Sequence, residues 1–391
     1  MESSDKRPLS AFEALPAECL LQIFGRELEL ITTARERLND LSALSLVCRA
    51  FRSSAQICLF GNPFIRAGGR ASLLKDVIEA DSVLASHVTS LSWTMQTKRA
   101  NPRTLASLIR MTQPTSLALG SGFFASADAD LADLCLALNE LKSLRCLIFG
   151  GFDLSSASSD YVSHSLSSKW HDLKRLELHQ VRWQSPCGNI TRQDAFWQSY
   201  MRPSFSLERL SIAFVQPRPT RANWGSGQHS WLYWLLSESC NSLTSLRLIN
   251  LGEAIPEDAS KLLLKASRNL KDLVISDYEG SELIADFLAA EASNLLSLTL
   301  GARLIEILLA NGQIVPVLAS KAILENRSKL RFLEVRDLRL FERLDLQTAL
   351  EKGALPSLQH IVLTQSSRLH TQVQDLARYC TQAGIILQVK R

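Results

Sequence analysis

Three arginines occupy comparable places in the chain: Arg175 in LKRLEL, Arg209 in LERLSI and Arg247 in LTSLRL. A guanidinium is a planar fork of N–H donors whose geometry matches a carboxylate or a phosphate. Glu177 and His179 follow Arg175 at alternate positions, and Glu334 and Arg336 repeat the mixture in LRFLEVR. Side chains two residues apart on a strand share a face. The spacing therefore predicts one polar face built from Arg175, Glu177, His179, Arg209, Arg247, Glu334 and Arg336. Such a face suits an anionic peptide, for instance a phosphorylated one. It equally suits a charged surface that only meets water, and both readings stand.

A second group of candidates lies in the irregular stretch 183–234, which holds Trp183, Trp197, Trp224, Trp231 and Trp234 among Pro186, Pro203, Pro217 and Pro219. Tryptophan is enriched where partners dock, and long insertions on a rigid frame often carry binding. Trp231 and Trp234 are three apart in SWLYWLL, a spacing that reads as the core face of a helix. Trp183, Trp197 and Trp224 are left as candidate contacts.

Chemistry of other kinds has no footing in the residues. The chain contains no GxSxG, HExxH, GxGxxG or GxxxxGK[ST]. Its seven histidines never stand four apart, and its eight cysteines form no CxxC pair. No catalytic residue, metal ligand or cofactor is expected. The basic and acidic counts, 43 and 39, nearly balance, and no run of five Lys/Arg occurs. Nucleic acid is thus an improbable partner. No apolar run reaches the roughly 18 residues of a membrane-spanning helix, and the polar start MESSDKRPLS is no secretory signal. Reduced cysteines in the cytoplasm or nucleus are expected, and the glycosylation patterns at Asn189 and Asn326 read as chance.

The elements that would position these residues come from a repeat. LxxLxL recurs about central apolar positions 91, 117, 147, 176, 210, 246, 273, 298, 333 and 361, and a last strand follows at 385–389. Short alternation predicts a strand at each. Helical spacing fills the gaps, as in Leu131, Leu134, Cys135 and Leu138, or Val373, Leu376, Ala377 and Cys380. Gly384 stands where a helix C-cap belongs, and Glu257 and Asp258 follow Pro256 as a helix start. One strand and one helix per step of 25 to 36 residues looks like a leucine-rich repeat solenoid, an α/β array of about ten units stacked into an irregular horseshoe. The alternative is an ordinary βαβ sheet. The Asn or Cys that usually follows the motif is replaced here by Val181, Val215, Leu251, Tyr278 and Leu338. No asparagine ladder is expected there, so the turns must be satisfied otherwise.

Ahead of the repeats, residues 12–60 read as three short helices with apolar stripes, too few residues for an independent core. They closely resemble the F-box. The first half stands as Leu15-Pro16-Ala-Glu18-Cys-Leu20-Leu21-Gln-Ile23-Phe24. The second stands as Leu41-Ser-Ala-Leu44-Ser45-Leu46-Val47-Cys48-Arg49-Ala-Phe51-Arg52. The segment between, GRELELITTARERLND, is longer than the family's usual one. The likeness extends through 70–95 to fungal F-box proteins with irregular leucine-rich repeats. The implied organisation is an N-terminal tail without order over 1–11, an F-box over 12–60, a helical connector over 61–86 and the solenoid over 87–391.

The resemblance implies a substrate receptor of an SCF-type cullin–RING ubiquitin ligase. Its F-box would bind a Skp-type adaptor, and through it a cullin scaffold, by Leu15, Pro16, Leu20, Ile23, Phe24, Leu44, Val47, Cys48 and Phe51. The same residues could instead pack the three helices internally. The repeats would hold a protein substrate, and the receptor itself would be non-catalytic. A scaffold that uses the adaptor outside any ligase, and an enzyme built on an α/β array, are the competing readings.

Overall fold

In this computed structural model the described residues are 49–65, 68–93, 102–120, 129–151, 169–181, 203–214, 231–252, 257–278, 294–300, 329–335, 355–364 and 370–390. Pro16, 19–20, 41–43, Leu46, Leu166, 350–351 and Gly353 complete the set.

Alternating apolar residues make strands, and each strand carries too little apolar surface to stand alone, so the strands gather into one sheet. Twelve are described: β1 Phe64–Ile65, β2 Ser90–Trp93, β3 Ser116–Leu119, β4 Cys146–Gly150, β5 Arg175–Val181 and β6 Arg209–Phe214, then β7 Ser245–Gly252, β8 Asp272–Tyr278, β9 Ser297–Leu300, β10 Phe332–Val335, β11 His360–Thr364 and β12 Ile386–Lys390. Every strand pairs in parallel with the next in the chain, in the order β1 to β12. The molecule is α/β, and this one-way succession is compatible with a solenoid-like arrangement.

The repeat reading anticipates the register. Leu91, Leu117, Leu147, Leu176, Leu210, Leu246, Leu273, Leu298, Leu333 and Ile361 pair successively and form one row, which Leu387 extends. From Leu91 to Ile361 that row is buried. Each such side chain contributes about 1.5–3 kcal/mol over an exposed one. The first strand was not expected. Phe64 and Ile65 lie inside the stretch read as a helical connector, and Ile65 pairs with Trp93. Two residues are too short to show alternation.

Eight helices are described. The first four are α1 Arg49–Gly61, α2 Gly68–Ala80, α3 Ser82–His87 and α4 Pro102–Thr112. The others are α5 Ala129–Glu140, α6 Trp231–Ser237, α7 Glu257–Ser267 and α8 His370–Ala383. Their apolar stripes cover the row of leucines. Leu105, Leu108 and Ile109 of α4, Leu134 and Leu138 of α5, and Leu376 and Cys380 of α8 are all buried in one continuous core. Trp170 joins that core, its indole N–H donating to the Leu138 carbonyl at 3.3 Å, so its polar tip is satisfied. Helix α8 ends on Gly384 at φ +71°, a conformation in which a side chain would be strained. The chain then turns directly into β12.

Backbone hydrogen bonds explain how one unit seats on the next. The carbonyl just before each strand accepts two N–H groups from the following unit. Thr115 O takes Arg145 and Cys146, Arg145 O takes Lys174 and Arg175, and Lys174 O takes Glu208 and Arg209. Glu208, Thr244, Lys271, Leu296 and Arg331 continue the series to β11. Side chains reinforce the same edge. Asn269 Nδ2 donates to Asn241 O at 2.8 Å, Asn294 Nδ2 to Arg268 O at 2.9 Å, and Ser242 Oγ to Leu207 O at 2.7 Å. The satisfying groups thus precede the strands. Val181, three places after the LxxLxL pattern of β5, is wholly buried. Near the strand ends the chain bends through positive φ at Gly151, Gln180 and Asn250, each four residues past a central leucine. Asn250 secures its bend by donating Nδ2 to Phe214 O at 3.0 Å.

Candidate functional site

The helices cover one face of the sheet, and the opposite face carries the alternate residues. One registered row crosses it from Arg175 and Arg209, through Ser245, Asp272 and Ser297, to Phe332, His360 and Ile386. A parallel row begins with Glu177, Ser211 and Arg247 and passes through Val274 and Thr299 to Glu334 and Val362.

At the β5 end three predicted residues meet. Arg175 Nε donates to Glu177 Oε1 at 2.6 Å, and His179 Nε2 lies 2.8 Å from Glu177 Oε2. A carboxylate only accepts, so Nε2 carries the proton. Glu177 keeps 15% of its side-chain surface, whereas Arg175 and His179 each keep 41%. The His179 hydrogen bond and the Arg175 guanidinium outweigh burial and hold the Glu177 carboxyl down at about 2. At neutral pH it is ionised and fully partnered. That suits a fixed strut better than a proton shuttle.

This trio leaves Arg175 committed. Arg209, beside it on β6, and Arg247, diagonally across on β7, are exposed and have no ion-pair partner among the described residues. The small Ser211 between them is buried, and Ser245 sits alongside. Two open guanidiniums over a floor of small hydroxyl residues can fork around one carboxylate or phosphate. Cys146 pairs with Arg175 across β4 and β5. Burial pushes its thiol up, against the pull of nearby Arg175 and Arg209, so it stays a protonated thiol.

At the other end Glu334 is held differently from the sequence reading. Thr299 Oγ1 donates to its Oε2 at 3.3 Å, and Lys390 Nζ lies 3.5 Å from its Oε1. Arg336, expected beside it, lies outside the described residues, as do Trp183, Trp197 and Trp224. Trp234 is a core residue, edge-on to Phe205 at 5.9 Å between ring centroids. Sequence reasoning passed over Ile386. It is 55% exposed on β12, next to His360, whose ring lies 6.5 Å from that of Phe332. Its signal was the alternation of the last strand, which was read only as the end of the array.

The helical unit before the sheet has its own small core. Leu20, Leu41 and Ala55 are buried together, with Phe51, Cys58 and Leu59 packed against them. Of the nine residues assigned to an adaptor face, three are described. Pro16 is exposed and its carbonyl accepts from the Leu20 N–H at 3.2 Å. Leu20 packs inward and Phe51 is half-buried. Leu15, Ile23, Phe24, Leu44, Val47 and Cys48 lie outside the described residues. Leu46, not among the nine, is 86% exposed, and Cys19 is exposed as well.

No family model matches the chain, and a search of curated proteins finds no significant match. Among the described residues no helix is long and apolar enough to cross a membrane.

Proposed function

We propose that this chain is the substrate receptor of an SCF-type cullin–RING ubiquitin ligase: an F-box followed by leucine-rich repeats. The observation that carries the reading is the two-part pattern Leu15–Phe24 and Leu41–Arg52 placed directly ahead of a repeat array. Two features of the described residues support it. Leu46 stands almost fully in water, and among the described residues Leu20, Leu41 and Ala55 are buried together. A helical unit confined to residues 12–60 gains from a partner that covers its exposed apolar side chains. The array then offers a polar face on which Arg209 and Arg247 are exposed, and a repeat surface of this kind suits a protein ligand. Chemistry would come from the ubiquitin-charged enzyme, and the receptor would supply proximity.

Co-expression with a Skp-type adaptor and a cullin tests this. The receptor reading expects all three to purify together on a tag carried by this chain. Recovery of the adaptor without the cullin contradicts the ligase role and favours the scaffold. Recovery of neither overturns the F-box reading.

A further inference from the structure

The row from Arg209 to Ile386 changes character along its length. It is cationic at Arg209, with Arg247 close by in the parallel row, both exposed. It is small and then acidic at Ser245 and Asp272. It is aromatic and aliphatic over β10 to β12, where Phe332, His360 and Ile386 are adjacent in register. Isolated exposed isoleucines are ordinary on a surface. Here the isoleucine continues a row of two rings on the face that bears the unpaired arginines.

We propose that this face binds a linear peptide lying across the strands. An acidic side chain sits between Arg209 and Arg247, and a large apolar side chain rests on Phe332, His360 and Ile386. The spacing follows from the sheet. Four strand steps separate β6 from β10, at about 4.8 Å each, or roughly 19 Å. An extended peptide covers about 3.3 Å per residue, so the two anchors stand about six residues apart. Asp272, exposed between them, disfavours a second acid in the spacer. The ligand is therefore one anion plus one apolar anchor rather than an acidic tract. This inference rests on the reading of the chain as a receptor for protein substrates, and deepens it by naming the ligand's pattern.

The test uses the full chain and fluorescent peptides in which Glu and Phe stand three, six or ten positions apart, joined by Gly/Ser residues, in both directions. A parallel set carries phosphoserine in place of Glu. The six-residue spacing is expected to bind at least fivefold tighter than the others in one direction. A mid-spacer Asp should weaken it several-fold. Arg209→Glu with Arg247→Glu, and separately Ile386→Asp, should each weaken it at least tenfold while circular dichroism stays native. Preference for phosphoserine or for Glu identifies the source of the anion, and either supports the site. Binding that ignores spacing, survives Ile386→Asp, or is absent for every peptide overturns it. Adaptor binding measured on the same variants separates the two ideas. A chain that holds the adaptor but no peptide loses only this inference, and one that holds peptide but no adaptor loses the ligase reading instead.

Discussion

At the scale of residues, Glu177 sets the character of the polar face. It accepts from His179 and Arg175 on one strand, which leaves Arg209 and Arg247 as the open cations. Its folded carboxyl titrates at about 2, below the ordinary carboxylate value of 4.5. The depressed value means that ionised Glu177 stabilises the folded chain above pH 4.5. That contribution fades as pH falls from 4.5 toward 2. Glu177→Gln is therefore expected to cost about 1–2 kcal/mol at pH 7, read by urea denaturation, with the gap to wild type narrowing as pH falls from 4.5 toward 2. A constant gap across that range would contradict the ion-pair account. The arginines and Glu177 were legible because strand alternation puts i and i+2 on one face. The clamp on Glu334 was not legible, since Lys390 reaches it from 56 residues away. Sequence spacing carries no information about that contact until the strand register is known.

At the scale of elements, the stacking edge before each strand holds the array together. Ser239 shows the device in one residue. It is fully buried, and its hydroxyl accepts the N–H of Leu207 from the preceding unit at 3.0 Å. Ser239→Ala leaves that donor buried without a partner, a loss of about 1–3 kcal/mol. Denaturant unfolding of the variant, beside a surface serine control such as Ser72→Ala, checks this; no measurable change would show that the edge bonds are incidental. The centres of β2 to β11 were legible, because an apolar residue every 25 to 36 residues has one stable solution, a common buried row. The bonding edge was not. The motif draws attention to the positions after each strand, where Val181 is simply apolar core, whereas Asn241, Asn269 and Asn294 do the pairing before it. Strand β1 escaped for lack of length, and the bends at Gln180 and Asn250 escaped because neither residue is a glycine.

At the scale of the whole molecule, two cores are seen among the described residues. A small one gathers Leu20, Leu41 and Ala55, and a larger one runs from Ile65 to Cys380. Helix α1 links them, since it packs on the small core and ends at Gly61, whose carbonyl accepts the Thr89 N–H at 2.9 Å. A protein at the helical unit would thereby be tied firmly to the array, which is the arrangement a receptor needs to present a bound substrate. The central claim is that the helical unit is an F-box. Titration calorimetry of the chain against a purified Skp-type adaptor tests it most directly, with a Leu15→Ala, Pro16→Ala double variant as the control. The account predicts tight 1:1 binding by the wild-type chain and at least tenfold weaker binding by a variant that keeps its circular dichroism. No binding by the wild-type chain, or equal binding by the variant, would contradict it.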